Sequence, residues 1–465
     1  MAAELIIRGG IVVTAAGRRT ADVSISDGRI VAVGESPAVG ESTRVIDAAG
    51  LLVLPGVVDV NTHTRVATDA QPDRFFQDSV AAAYGGTTTF LAFNNPGTGS
   101  EQTGSLPTDI AAWRRQTDSD SAVDFALSLV LQPTHSDLAH EIPKAIDCGV
   151  PTFKAFMVYD FALPTPALEV ALRATADFDG LLEVHGEDKA ALEANIATLL
   201  AEGKTAPRYH ADSRPPHVEA AGTRTAIDMA RAAGAPVYFV HVSCRAALDE
   251  IRRARAAGQQ VFAETCPHFL ALDESRYDAS SDEEGLQYVI SPPLRAPADR
   301  DALWDALRDG GLDLVATDHV PDRLAVDKRL VGQSFDLISN GAPGIETLLA
   351  IVYSEGVQRG RISVERMVDL LSTTPARLFG LSNKGSIDPG KDADIVLFDP
   401  QERRTITQPE LHHTSDFTPF EGMAAAGIVR SVLVRGEYVI RDGRFVGRRG
   451  FGRFQERRLT WRQGR

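Results

Sequence analysis

Cysteine is scarce: Cys148, Cys244 and Cys266 are the only three in 465 residues. Their spacing is not that of a thiolate metal site, and an odd number cannot all pair. A disulfide framework is therefore excluded, and reduced thiols in a cytoplasmic protein are expected. No apolar run is long enough to span a bilayer, and no stretch resembles a secretory signal. Positive charge is in deficit, with 48 Lys and Arg against 63 Asp and Glu, a net charge of −15. That balance disfavours nucleic acid and anionic membrane as partners. A G-x-G-x-x-G fingerprint after a first strand is also missing, which argues against a nucleotide-binding doubly wound sheet.

What is present is ordinary for a globular protein: 43% hydrophobic and 24% charged residues. The length calls for one large domain and a small one. One segment runs against the acidic balance. The tail VGRRGFGRFQERRLTWRQGR is Arg-rich, with Phe and Trp interleaved. The expectation is a tail that packs on an acidic neighbouring subunit; a nucleic-acid arm is the other reading.

Residues 4–54 alternate short β-rich runs with turns, as in LIIRGGIVV and ADVSISDGRIVAVG. The same grammar returns in DADIVLFDP and IVRSVLVRGEYVIRDGRFV. A composite β-sandwich from 1–54 and 380–450 is expected, with 451–465 as the tail. Between them lies the domain 55–379, and from about 51 to 378 apolar strands alternate with helical stretches, beginning LLVLPGVVDV, TTTFLAF, VDFALSLVL and PTFKAFM and continuing LLEVH, PVYFVHV, QVFAET and LDLVATD. About eight strand–helix units imply parallel strands and a (β/α)8 TIM-type barrel.

Chemistry in such a barrel sits at the carboxyl ends of the strands. The candidate strand ends carry Asp59, Asn61 and His63, then Lys154, His185, His241 and Asp318. Each alone has a bland explanation: a structural histidine, a snorkelling lysine, a capping aspartate. Together they converge on one mouth, and imidazoles with carboxylates suit a transition metal. Lys154 sits in the apolar PTFKAFM. Burial favours its neutral amine, which can take up CO2 as a carbamate and become an anionic oxygen ligand. An ion pair with a nearby Asp or Glu is the alternative.

These residues resemble the amidohydrolase superfamily, in the branch of hydantoinases, dihydropyrimidinases and allantoinases. PGVVDVNTH, FKAFMVY, VHGED, SRPPHVEA, VHVSC, ETCPHFL, YVISPPLR, ATDHVP, NGAPGIE and KGSIDPGKDADIVLFDP follow in the family's order over nearly the whole chain. The resemblance implies two metals bridged by carboxylated Lys154. One would take His185 and His241; the other would take His63, Asp318 and the position held by Asn61. It implies Tyr159 as the residue that polarises the substrate carbonyl, and Ser291 and Asn340 as holders of the substrate amide. His268 would stand behind the ligands, His319 would orient Asp318, and His412 and His413 are expected on the surface. The relatives assemble as dimers or tetramers, so a homo-oligomer is expected.

Asn61 departs from the pattern. An amide oxygen is a weak neutral donor. One tight divalent metal (Co, Zn or Mn) and at most a second weak one are expected. The Asn-x-His feature resembles phenylurea hydrolases and molinate hydrolase, which makes a neutral urea or (thio)carbamate the expected substrate. A cyclic imide, as in hydantoinases, is the alternative, and a non-catalytic scaffold the third reading. In either enzyme, metal-activated water attacks the carbonyl and Asp318 carries the proton. The loops PGTGSEQTGSLPTD and GKTAPRYHADSRPPH are expected to shape the pocket. No Arg committed to a substrate carboxylate is legible, which favours a neutral substrate.

Overall fold

The computed structural model describes residues 3–35, 42–328 and 334–460. Its centre is a parallel barrel of eight strands: β1 (Val57–Thr62), β2 (Thr87–Phe93), β3 (Asp124–Val130), β4 (Thr152–Phe156), β5 (Leu181–His185), β6 (Val237–Phe239), β7 (Val261–Thr265) and β8 (Leu314–Val315). Every residue of β1 to β6 is buried. That follows from helices covering one face and barrel side chains filling the other, and it explains why these strands read as apolar runs without alternation. The seam between β1 and β8 closes at the mouth. His63 N donates to His319 O at 2.7 Å. Asp59 accepts the Thr317 N–H at 3.0 Å and the Thr317 hydroxyl at 2.5 Å.

The run LLVLPGVVDV is not one strand. Leu52–Pro55 pairs with the sheet from the chain ends, and β1 begins at Val57. Gly56 passes so close to Thr88 that a Cβ there would lie 2.0 Å from the Thr88 hydroxyl. Only glycine fits the crossing from one sheet to the other.

The second sheet has nine strands and is built from both ends of the chain. Its amino-terminal half comprises Leu5–Thr14, Gly17–Ser26, Arg29–Gly34, Arg44–Asp47 and Leu52–Pro55; its carboxyl-terminal half comprises Ile395–Thr405, Ala424–Val434, Glu437–Arg441 and Arg444–Phe445. The halves join where Leu52–Pro55 runs antiparallel to Ile395–Phe398. A buried ionic cluster fastens this sheet to the barrel. Lys384 contacts Asp124 of β3 at 2.6 Å, Asp394 at 2.7 Å and Asp392 at 3.0 Å, and Arg435 closes on Asp124.

Through residue 460 the Arg-rich tail packs on the barrel of its own chain. Phe125 N donates to Arg453 O at 3.1 Å, and Gln455 N returns a bond to Phe125 O at 2.8 Å. Arg457 is 1% exposed and donates to Phe379 O at 3.2 Å and Thr152 Oγ1 at 2.9 Å. An arginine that looks like surface charge in sequence is here a buried plug, donating to the backbone carbonyls of Phe379 and of Leu127 within β3 and to the hydroxyl of Thr152 at the start of β4. The last five residues, 461–465 with Trp461, lie outside the described part.

Removing Lys384 leaves buried Asp394 without a cation, and Asp124 and Asp392 with only Arg435 and Arg29. Lys384→Ala is expected to lower the unfolding free energy by about 3–5 kcal/mol. Chemical denaturation checks this; a loss below about 1 kcal/mol would show that the cluster does not hold the sheet to the barrel.

Candidate active site

The carboxyl ends of the strands bring the expected residues to one cavity of about 460 Å³. That size suits a small organic molecule. His63, Tyr159, His185, His241, Ser291, Asp318 and Asn340 all line it. Three of them have backbones in the left-handed region: Tyr159 at φ 76°, His241 at φ 41° and Asp318 at φ 49°. Residues other than glycine adopt that region at a cost, and the surrounding barrel must hold them there. Nothing in the residue types announces it.

Lys154 is the centre of the arrangement. It comes from β4, is fully buried, and its Nζ has no hydrogen-bond partner. It forms no ion pair among the described residues, which removes the alternative reading of it. Its nearest cushions are the rings of Phe93 at 4.8 Å and Phe156 at 4.9 Å. Burial lowers its pKa to about 8, against the pull of Asp318, Glu183 and Glu264. A neutral amine is thus accessible near neutral pH.

Two pairs of side chains flank it. On one side His63 Nε2 and Asp318 Oδ1 stand 3.1 Å apart, while His63 Nδ1 meets Asn95 Oδ1 at 2.9 Å. Burial opposes ionisation of Asp318, but His63, through a hydrogen bond and its charge, and Lys154 hold its carboxyl below the usual range. On the other side the rings of His185 and His241 are 4.6 Å apart and nearly perpendicular. Burial lowers both imidazoles, so they are neutral and carry a free lone pair. His241 Nδ1 is buried without a partner.

Among the described residues, no three His, Cys, Asp or Glu side chains form a set able to hold a metal by themselves. The two pairs become one centre only if Lys154 supplies an anionic oxygen between them. The unpartnered Lys154 Nζ, His241 Nδ1 and Asn61 Oδ1 are what such a centre requires, and the residues present fit a divalent transition metal.

Asn61 is fully buried, and its amide nitrogen donates to Glu264 Oε1 at 2.5 Å. Tyr238 donates to the other oxygen of Glu264 at 2.5 Å. Burial raises Glu264 to about 8. The bond to Glu264 fixes the Asn61 side chain and leaves its oxygen free. Ser291 donates its hydroxyl to Asn340 Oδ1 at 3.1 Å. Burial pushes the Tyr159 phenol above its ordinary value despite Arg214, so it stays a proton donor.

Several expectations need correction. His319 does not orient Asp318 with its ring: Nδ1 accepts from Gly344 N at 3.2 Å and Nε2 faces Asp78 at 3.7 Å. Its backbone carbonyl instead holds His63. His413 is buried rather than on the surface, 6.2 Å from the His319 ring. His412 stacks on Tyr84 at 3.5 Å and bonds Glu346. His268 is buried beside Asp318 and lowered by burial to about 4. Of the two loops, Pro96, Gly97 and Thr98 line the cavity, whereas His210 and Arg214 of the second support it from behind.

Sequence reasoning missed that support. Glu187 accepts from His185 Nε2 at 2.6 Å and forms a buried ion pair with Arg214, whose guanidinium also lies 5.4 Å from the Tyr159 ring. Burial would raise Glu187, but Arg214 and His185 hold it at about 2. An ionised Glu187 forces the His185 proton onto Nε2 and leaves Nδ1 as the donor atom. The ED of VHGED and the R of SRPP are the only traces of this in sequence. Arg65 and Arg74 also line the cavity and were not foreseen.

A profile of the amidohydrolase family matches residues 52–439. The chain is similar to a D-hydantoinase of Ralstonia pickettii, 40% identical over 465 residues that cover 98% of this chain and 99% of the relative. A D-phenylhydantoinase of Escherichia coli O1:K1 / APEC is 38% identical over 459 residues, 98% of both chains. Among solved structures, a dihydropyrimidinase from Brevibacillus agri NCHU1002 superposes with a TM-score of 0.92 at 39% identity, over 98% of both chains. These likenesses give the urea and (thio)carbamate expectation drawn from Asn61 no support and back the cyclic-imide alternative. One asparagine is a weaker indicator of substrate than likeness along the full length.

A lysine with a pKa of about 8 sets a pH dependence. Its neutral, CO2-reactive fraction rises from ~9% at pH 7 to ~91% at pH 9. Protein stripped of metal and CO2 is therefore expected to regain activity roughly tenfold faster at pH 9 than at pH 7, with metal and dissolved CO2 held constant. Equal rates would count against Lys154 as the reacting amine.

Proposed function

The chain belongs to the amidohydrolase family and is a hydrolase of C–N bonds; from that premise we propose that its cavity opens the ring of a cyclic imide of the hydantoin or dihydropyrimidine type. The observation that carries this is the fully buried, unpartnered Lys154 between the His63–Asp318 and His185–His241 pairs. A scaffold protein has no use for an unpaired cation in its core. Residues 55–379 form the catalytic barrel in this reading, with 1–54 and 380–450 as the attached β domain, and the enzyme works as a dimer or tetramer.

As its carbamate, Lys154 would help hold a divalent ion, with His185 and His241 on one side and His63, Asp318 and Asn61 on the other. That ion (Co, Zn or Mn) would supply an activated water and polarise the ring carbonyl. Asn61 would weaken its side, so that one ion would be held tightly and a second loosely. Asp318, kept ionised by His63, accepts a proton from the attacking water and returns it to the departing ring nitrogen. Tyr159, kept protonated by burial, donates to the carbonyl oxygen as charge develops there. One such donor is worth about 10²–10³ in rate. Ser291 and Asn340 hold the ring amide, and His210 fixes Ser291 from behind at 3.1 Å.

With purified, metal-loaded protein, hydantoin and dihydrouracil are expected to be hydrolysed, and a phenylurea and a thiocarbamate not; the reverse preference would overturn the proposal. Asp318→Ala is expected to abolish turnover while leaving the circular dichroism spectrum unchanged. Retained turnover would remove Asp318 from the role of proton carrier. Asn61→His should raise tightly bound metal from about one to about two equivalents per chain, read by elemental analysis after dialysis. Two tight equivalents already in the unaltered protein would refute the weakening assigned to Asn61.

A further inference from the structure

One arginine at the mouth of the cavity has no carboxylate beside it among the described residues. Arg65, two residues beyond His63, pairs with buried Asp322 and lies 3.6 Å from Asp327. Arg323 shares Asp327 at 3.5 Å. Arg74, at the start of the helix Arg74–Tyr84, differs from both. Its Nε donates to Val66 O, its Nη2 to Thr98 O, and its Nη1 to Gln71 Oε1 at 3.2 Å. All three acceptors are neutral. Arg74 is 9% exposed, lines the cavity, and forms no ion pair among the described residues.

Arg65 and Arg323 each have a carboxylate within 4 Å, and among the described residues Arg74 has none. A guanidinium has five N–H donors, and these bonds use three of them. Two donors remain, with a full charge, at nine-tenths burial. Desolvation and the like charge of Arg65 and Arg323 act against this cation, and Asp78 and Asp327 offset them only at a distance. A buried cation without an anion is costly, and an incoming carboxylate would supply both the counter-charge and the acceptors.

Resting on the ring-opening reading above, we propose that Arg74, backed by Gln71 and the Thr98 carbonyl, forms an anion subsite at the cavity mouth that selects cyclic imides bearing a carboxylate on their exocyclic arm. The ring itself is neutral and sits deeper, toward Tyr159, Ser291 and Asn340; only the arm carries charge. Arg65 does not serve, because Asp322 and Asp327 already neutralise it.

The test compares 5-carboxymethylhydantoin with its neutral isostere, 5-carbamoylmethylhydantoin, on the metal-loaded enzyme. Preference is read as kcat/KM where the compounds are turned over and as calorimetric affinity where they are not. The unaltered enzyme is expected to favour the acid about tenfold. Arg74→Gln should abolish that preference and leave the amide compound within about twofold of its original value. Raised salt should shrink the preference in the unaltered enzyme.

Equal treatment of acid and amide by the unaltered enzyme overturns the subsite, as does a preference that survives in Arg74→Gln. So does an equal loss for both compounds, because Arg74 would then only tie Val66 and Thr98 in place. Should Arg74→Gln fail to fold, Arg74→Lys keeps the charge without the fork, and the salt response of the unaltered enzyme decides alone. Unsubstituted hydantoin, which has no arm, reports on the ring-opening reading separately. If hydantoin is hydrolysed while neither arm-bearing compound binds, only the subsite fails; if hydantoin is neither bound nor hydrolysed, both readings fall.

Discussion

The structure turns on a lysine amine enclosed in the barrel with nothing to bond. Lys154 is surrounded by aromatic rings and neutral imidazoles, and burial has already moved it toward its uncharged form. A protein interior tolerates such a group only if something completes it. Everything around the cavity is arranged to suit that completion: two imidazole-bearing pairs on either side, a carboxylate held ionised, a phenol held protonated.

The rest of the fold keeps those groups in register. Parallel strands deliver their carboxyl ends to one rim, and the seam between Asp59 and Thr317 closes that rim where His63 and Asp318 meet. Behind these side chains a second layer fixes their protonation and orientation. Glu187 and Arg214 set the tautomer of His185 and place a guanidinium against Tyr159, so the two sides of the cavity share one support. Glu264 holds Asn61 from below. At the base, the Lys384 cluster and the buried Arg457 lock the sheet and the tail to the barrel, far from the mouth.

Much of this could be read from the chain, for physical reasons. Buried parallel strands are apolar throughout, so TTTFLAF and VDFALSLV stand out, and polar residues closing such runs mark the rim. A lysine inside PTFKAFM violates the apolar pattern and draws attention to itself. By contrast, Leu51–Val60 reads as one strand because composition cannot reveal the steric crossing at Gly56. Arg457 and His413 look like surface residues because partners that neutralise or cover them come from distant parts of the chain. Asn61 taken alone points toward ureas, because one changed donor carries less about the substrate than likeness along the whole chain.

By itself, the order of residues determined the strand–helix alternation, the polar strand ends and the oddity of a buried lysine, since all three are local patterns of polarity. Only the tertiary structure decided which groups meet and in what state: that Lys154 has no ion pair, that Asp318 is held ionised by His63, and that Arg74 stands at the mouth without a counter-ion. Charge state and partnership depend on burial and on distances between residues hundreds of positions apart, and no local pattern encodes those.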